Sequence, residues 1–348
     1  MFKQDTGVLN NKSDQRLEQA VAWCSDTLAV TNLEVTPASA DASFRRYFRV
    51  RHHHKSYILM DAPPQQEDCG PFLRCAQIFT ESGVAVPKIF AEDVKNGFIL
   101  LEDFGDRLYL QYLSAENAAG MYERAISELI RIQDAPASEF PNYDRNLLMN
   151  EMALFETWYL GKHLNLDLTL EENELLHQSF TVLAEHALDQ PQVVVHRDFH
   201  SRNLVWRPDQ PPGVLDFQDA VWGPITYDLV SLLKDCYIAW PKKFIYQMVD
   251  EYLTQYSSKI GAPELPLQQF RDWFHLMGIQ RHLKAIGIFA RLNHRDGKPG
   301  YLNDIPRVMA YVLDATASYR PLFELRSFIL EQVIPADPSL HRLLERNE

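Results

Sequence analysis

VVVHRDFHSRNLVW, residues 193–206, sets Asp198 and Asn203 five positions apart in a polar loop between two β-rich apolar runs. Thirteen residues after Asn203, a further apolar run at residues 213–215 delivers Asp216 and Phe217. An acid and an amide in one loop, followed by a second acid at a strand end, put three oxygen donors on course for a single point.

Each residue type suits the movement of a γ-phosphoryl group, which needs in-line positioning, neutralisation of phosphate charge and an acceptor for the proton of the incoming hydroxyl. In that chemistry Asp198 orients and deprotonates the acceptor. Asn203 and Asp216 are hard oxygen ligands for Mg²⁺, which keeps several waters and takes one or two carboxylates beside the phosphates. His200, two residues after Asp198, faces the transferring phosphate. The pattern His-x-Asp-x4-Asn followed by Asp-Phe resembles the catalytic loop of the protein-kinase-like superfamily. A His two residues after the Asp is similar to the aminoglycoside phosphotransferase branch, which acts on small molecules. His196 reads as structural, its ring bonding backbone near the loop. Asp228, at the start of an apolar-periodic helix, reads as a scaffold carboxylate that accepts backbone N–H groups. Asp219, three past Asp216, suits substrate contact and a structural role equally.

The chain has 348 residues, 46% hydrophobic and 11% aromatic, enough for a sizeable core in two lobes. A net charge of −13 argues against a general nucleic-acid binder, which needs clustered Lys and Arg. Residues 271–307 depart from that mean with seven Lys or Arg against three Asp, the composition of a solvated basic helix face. Cys24, Cys69, Cys75 and Cys236 form no Cys-x-x-Cys pair and no dense framework, so neither a zinc site nor a disulfide scaffold is indicated. The polar N-terminal stretch lacks the apolar core of a signal peptide, and no apolar run approaches the roughly eighteen residues of a membrane span. A cytoplasmic, monomeric protein without membrane or nucleic-acid partners is expected.

Apolar positions recur at helical spacing over residues 14–28. The period then changes: residues 34–40, 43–51 and 56–61 alternate or run β-rich between short polar turns, with His52, His53 and His54 as a hairpin turn. A helix is expected over 69–82, stopped by Gly83, and two further strands over 86–91 and 98–102, joined at Asn96-Gly97. Beyond Tyr109 helices dominate, over 115–133, 144–163, 169–187, 225–239, 242–260, 267–293, 304–318 and 321–333, with regular structure ending at 335–338. The fold class is therefore α+β: a bilobal protein-kinase-like fold with an antiparallel five-stranded N-lobe over 1–104 and a mainly helical C-lobe over 105–348. Leu101, Glu102 and Phe104 lie where the chain leaves the sheet and would offer backbone groups to the adenine of ATP.

A kinase-like N-lobe usually carries a Gly-rich loop over the phosphates and a strand lysine paired with a helix glutamate. Here the first turn reads SADASFRRYFRV without glycine, and the strand YILMDAPP has Met60 at the lysine position. Leu73 and Cys75 stand near the expected acidic partner. Losing both ends of a buried ion pair costs less than losing one, because an unpaired buried charge is expensive. Arg45 or Arg46, with Ser43 beside them, would then supply charge and hydrogen bonds to the triphosphate; the alternative for both arginines is a solvated strand face.

The segments DASFRRYFRV (41–50), MDAPP (60–64), LLEDFGDR (100–107), HRDFHSRN (196–203), LDFQDAVWGPITYDLVSLLKD (215–235) and QRHLKAIGIFARLNHRDGKPGY (280–301) cover most of the chain. Together they resemble the anomeric N-acetylmuramate/N-acetylglucosamine kinases of bacterial cell-wall recycling, within the aminoglycoside phosphotransferase superfamily. The catalytic loop is superfamily-wide, while the first and last segments and the missing lysine are the more specific signals. The resemblance implies ATP and Mg²⁺ as cofactors, an N-acetylated amino sugar as acceptor and a 1-phosphate as product. It also implies that Arg281 or Arg291 pairs with the lactyl carboxylate of N-acetylmuramate. Two rivals remain at this level. A kinase for a cationic acceptor such as choline or an aminoglycoside would use carboxylates and aromatic faces, for which Asp219, Trp222, Tyr227 and Trp273 are available. A pseudokinase would explain the missing lysine, but not the retention of Asp198, Asn203 and Asp216.

Overall fold

The computed structural model describes residues 14–40, 44–259 and 265–343. The chain divides into two compact units. One runs to Ala76 and resumes from Pro87 to Gly105; the other takes Gln77–Val86 and the chain from Asp106 onward.

In the first unit, helix α1 (Gln15–Leu28) begins at Asp14, whose side chain accepts from Leu17 N–H. Three strands follow, β1 (Glu34–Ala40), β2 (Arg46–His52) and β3 (Lys55–Asp61). Helix α2 (Gly70–Glu81) crosses the division of the chain at Ala76, and β4 (Ile89–Asp93) and β5 (Phe98–Glu102) complete a sheet of order β1-β2-β3-β5-β4. Every pairing is antiparallel. Pro37 is tolerated because β1 is an edge strand, and the ladder shifts register just after it. His53 and His54 form the β2–β3 turn, with His53 at a left-handed φ of 52°. Strand β4 starts later than the sequence suggests, since Pro87 lacks an amide for the ladder. The β4–β5 connection is the four residues 94–97 rather than a two-residue turn, and it closes on Gly97 at φ +74°. A Cβ on Gly97 would stand 1.8 Å from the Ala62 carbonyl oxygen, so only glycine fits.

The core of this unit joins Ala20 and Cys24 of α1 to Phe48, Val50, Leu59, Phe98 and Leu100 of the sheet. Polar contacts reinforce it. Asp61, fully buried at the end of β3, takes Arg16 at 2.6 Å and Arg46 at 2.5 Å, and Arg46 also reaches Asp14. Met60, at the position a lysine usually holds, is fully buried between Tyr47 and Ile99. A second pair joins Arg49 to Asp103 at 2.7 Å, with Ser56 Oγ also donating to Asp103.

The second unit is helical around two short ladders. After the single turn α3 (Tyr109–Tyr112) come α4 (Ala118–Gln133) and α5 (Arg145–Leu154), which widens into a π-helical stretch, Phe155–His163. The sequence pattern over 144–163 reads as one helix; the change falls where α9 presses on it. Helix α6 (Leu170–Leu188) opens with a Thr169/Glu172 capping box. Then come β6 (Gln192–Val195), β7 (Leu204–Val205), β8 (Gly213–Val214) and β9 (Val221–Pro224), followed by α7 (Tyr227–Leu233), α8 (Lys242–Ser257) and α9 (Leu267–Asp296). Strand β6 pairs with β9 and β7 with β8. Helix α7 ends six residues before the sequence expectation, because Asp235 Oδ1 takes the Tyr237 amide and turns the chain out. Helix α10 (Ile305–Thr316) is followed by α11 (Phe323–Phe328), a π-helical stretch (Ile329–Val333) and α12 (Ile334–Ala336). Regular structure does not end at 335–338: a 3-10 helix, Pro338–Leu343, follows.

Helix α9 packs against α5, α6, α7, α10 and the first π-helical stretch. Arg271, Arg291 and Arg295 keep exposure, but the middle of the helix is not the solvated face that composition suggests. Gln280, Arg281, His282 and Lys284 are all buried, and each finds a polar partner. Gly287 lets α9 touch the α5 backbone: a Cβ there would stand 2.3 Å from the Leu154 carbonyl carbon.

Candidate active site

The two ladders deliver the polar groups. Strand β6 leads into residues 196–203 and β7 leads out, while β8 carries the chain to Asp216. Leu215 N–H donates to the Asn203 carbonyl at 2.9 Å, closing the segment after β8 onto the loop. As a result Asn203 Nδ2 lies 3.0 Å from the Asp198 carbonyl and 3.4 Å from Asp216 Oδ2, and Gln218 Nε2 donates to Asp216 Oδ1 at 2.7 Å. Asp198, Asn203 and Asp216 are thus neighbours, as their spacing led us to expect. Asp216 holds a left-handed φ of 63° and Arg197 one of 76°, conformations that non-glycine residues adopt at a cost in strain.

Asp228 holds the Arg197 conformation in place. Buried at the start of α7, it accepts His196 N–H at 2.6 Å and Arg197 N–H at 3.0 Å, the scaffold arrangement read from the sequence. The His196 ring accepts Asp198 N–H on Nδ1 at 3.2 Å, and burial pulls its pKa down to about 4, so it is a neutral structural ring.

Beside Asp198 lies a buried polar cluster that the sequence reading missed. Glu151 of α5 pairs with Arg197 at 2.5 Å and with Lys284 of α9 at 2.8 Å. Tyr143 OH donates to the same carboxylate, and Lys284 Nζ donates to Tyr227 OH at 3.0 Å. Two cations therefore share one anion, and ionised Asp198 balances the second. Burial works to raise the Asp198 pKa. The Lys284 ammonium, the largest opposing influence, acts with the His200 and His196 rings and the Arg197 guanidinium to outweigh that and hold the carboxyl below its ordinary value. Glu151 is held low in the same way, burial being overcome by Lys284 and Arg197.

His200 rests edge-on against Tyr237, with ring centres 5.3 Å apart, and its buried Nδ1 has no partner among the described residues. Burial pulls its pKa down against the opposing pull of Asp235 and Asp198, so the ring is neutral near pH 7. Asp235, wholly buried, takes Ser201 N–H on one oxygen and Tyr237 N–H on the other, each at 2.9 Å. Loop and tyrosine are thereby tied to one carboxylate.

Asp219 is exposed, and its carbonyl receives Arg197 Nη1 at 3.4 Å. Arg281 is 5% exposed, with Nη1 on Cys236 Sγ at 3.5 Å, while Arg291 is half-buried one turn before Arg295. In the sheet unit, Arg45 Nε is 4.0 Å from Glu67 and Arg46 is engaged by Asp61 and Asp14. Leu101 is buried in β5, Glu102 exchanges backbone and side-chain bonds with Lys88, and Phe104 is half-buried. Ser43 lies outside the described residues. No described helix is long and apolar enough to cross a membrane. Among the described residues no three His, Cys, Asp or Glu gather into a metal site. The Asn203 and Asp216 pair nevertheless fits Mg²⁺, which needs few protein ligands when water and phosphate supply the rest.

Comparison with known proteins agrees with this arrangement. The N-acetylmuramate/N-acetylglucosamine kinase of Pseudomonas aeruginosa is 43% identical over 326 residues, 90% of this chain and 95% of the relative. Its counterpart from Pseudomonas putida is 42% identical over 333 residues, 91% of this chain and 97% of the relative. Among solved structures, an ethanolamine kinase of Plasmodium vivax matches with a TM-score of 0.63 at 12% identity, over 92% of this chain and 93% of its own, a likeness of fold. The model of the phosphotransferase enzyme family matches residues 34–265. With two thirds of its length under that model, and the strained, carboxylate-held loop inside it, the chain belongs to the phosphotransferase enzyme family.

Proposed function

We propose that this chain is an ATP-dependent sugar kinase that phosphorylates the anomeric hydroxyl of N-acetylmuramate and N-acetylglucosamine, giving the 1-phosphate for reuse of cell-wall sugars. The observation that carries this reading is an ionised Asp198 beside the Asn203 and Asp216 pair, in a chain about two-fifths identical, over nine-tenths of its length, to kinases named for those sugars.

In this reading Asp198 accepts the hydroxyl proton as the oxygen attacks the γ-phosphorus. The anomeric hydroxyl is more acidic than an ordinary alcohol, so orientation by the loop carries much of the rate. His200, neutral and with Nδ1 unspent, faces the phosphoryl group as a hydrogen-bonding partner. Asn203 and Asp216 hold Mg²⁺, which would supply neutralisation of phosphate charge. In the sheet unit, Leu101, Glu102 and Phe104 present backbone to adenine, and Ser43 with Arg45 or Arg46 meets the triphosphate where Met60 offers no charge. Asp219, exposed and three residues past Asp216, contacts a sugar hydroxyl. Arg281, buried against Cys236, and half-buried Arg291 are the candidates of α9 for the lactyl carboxylate of N-acetylmuramate.

The test is Mg²⁺-dependent ADP release with N-acetylmuramate, N-acetylglucosamine, choline and kanamycin in parallel, using Asp198→Ala as control. Turnover of the two amino sugars, lowered by about three orders of magnitude or more in the variant, is the expected result. Turnover of the cations alone would keep the phosphotransferase and discard the sugar. Silence with all four would remove both.

A further inference from the structure

Arg202 lies in the catalytic loop four residues after Asp198 and directly before Asn203. Its guanidinium carbon is 3.6 Å from the centre of the Tyr237 ring and 5.5 Å from that of Tyr301. Those rings are fixed in turn. Tyr237 packs on Phe289, Phe289 stacks on Tyr301, and Asp235 holds the Tyr237 and Ser201 amides together. The arginine is half-exposed, yet it is positioned by a frame built from the loop, the segment after α7, α9 and the segment after α9.

Its charge is the unusual part. Three cations of the same unit have carboxylate partners: Arg197 and Lys284 share Glu151, and Arg307 pairs with Asp304 at 2.6 Å. Arg291 has its Nε unpartnered among the described residues, but unlike Arg202 it has no ring beneath its guanidinium there. Arg281 is buried against Cys236. Among the described residues no carboxylate pairs with Arg202. Stacking occupies the face of a guanidinium and leaves the N–H groups at its edge unspent, in the fork geometry that matches a carboxylate. A fixed cation with free donors, a few residues from the proposed base, is suited to an anionic group on the acceptor.

We propose that Arg202 receives the lactyl carboxylate of N-acetylmuramate and thereby sets the preference between that acidic sugar and neutral N-acetylglucosamine. The proposal rests on the sugar-kinase reading above. The lactyl-bearing carbon is two ring positions from the anomeric carbon, so a hydroxyl at Asp198 brings the carboxylate toward the same stretch of loop. Tyr237 and Tyr301 hold the guanidinium in one orientation, which lowers the ordering cost of the pair.

The experiment compares kcat/KM for N-acetylmuramate, its lactyl amide and N-acetylglucosamine in the wild type, Arg202→Gln and Arg202→Lys. The amide keeps the shape and removes the charge. The wild type is expected to favour the acid over the amide by about tenfold or more, with R202Q losing that discrimination and R202K keeping part of it. Equal use of acid and amide by the wild type would overturn the proposal whether or not the variants fold. A uniform fall on all three sugars in folded R202Q would overturn it too, making Arg202 a support for Asn203. Absence of turnover of every sugar by the wild type would instead sink the sugar reading and this inference with it.

Discussion

Asp198 stays ionised in a buried setting because Arg197 and Lys284 outnumber Glu151 as charges around it. Its depressed pKa means that activity should persist as pH falls to its ordinary value of 3.8, the acid limb lying below that. Removing the largest of the opposing charges should raise the Asp198 pKa. In Lys284→Met the acid limb of kcat/KM is therefore expected at higher pH, with turnover at neutral pH down by about tenfold. An unmoved acid limb in a folded variant would show that Lys284 acts on packing alone. Asp198, Asn203 and Asp216 were legible in the sequence because their spacing within one short segment is the signal. Glu151 and Lys284 were not, since they come from separate helices, Glu151 46 residues before Arg197 in the chain. Nothing local marks them as partners. Arg202 was in plain view as a residue, but its stacking on Tyr237 without a carboxylate beside it among the described residues is a fact of packing that a sequence does not carry.

Periodicity found most of the elements, and it erred where one element leans on another. Residues 144–163 read as a single helix, yet the chain widens at Phe155, beside the point where Gly287 brings α9 onto the Leu154 backbone. Helix α7 stops at Leu233 because the Asp235 side chain captures an amide, which no apolar pattern foretells. The basic run over 271–307 reads as solvated because charge usually is; in the middle of α9, Arg281 and Lys284 are buried on polar partners instead, while Arg271, Arg291 and Arg295 keep exposure. The close contact at Gly287 gives a direct test. A methyl group there must displace backbone, so Gly287→Ala is expected to destabilise the fold by about 2–3 kcal/mol, lowering the melting temperature by about 5 °C or more. Unchanged melting would mean that the α5–α9 contact yields freely. The sheet was the more readable unit: its strand order follows from hairpins and one helix-bearing connection, with β2 and β4 each starting three residues later than read, β4 beyond Pro87.

At the scale of the molecule, a net charge of −13 opposes compaction at pH 7, and that repulsion fades toward the sequence pI of about 5.4. Glu151 and Asp103 have pKa values below their ordinary 4.5 and 3.8: in both, burial is outweighed, by Lys284 and Arg197 for one and by Arg49, Ser56 and the Gly105 amide for the other. Groups held low in the folded state stabilise it fully above their unfolded values and lose that contribution as pH falls through the folded ones. Melting temperature should therefore hold or rise from pH 7 to about 5.4, then fall below 4.5, with Glu151→Gln blunting the fall. A steady rise down to pH 3 would contradict the role given to these pairs. In the proposed function, one carboxylate-held loop transfers phosphate to an anomeric oxygen. The most direct measurement is phosphorus NMR of the product formed from N-acetylglucosamine and ATP, with its stability in dilute acid. An acid-labile 1-phosphate, absent with Asp198→Asn, is the predicted result; an acid-stable phosphate on another hydroxyl, or product formed equally by the variant, would contradict it.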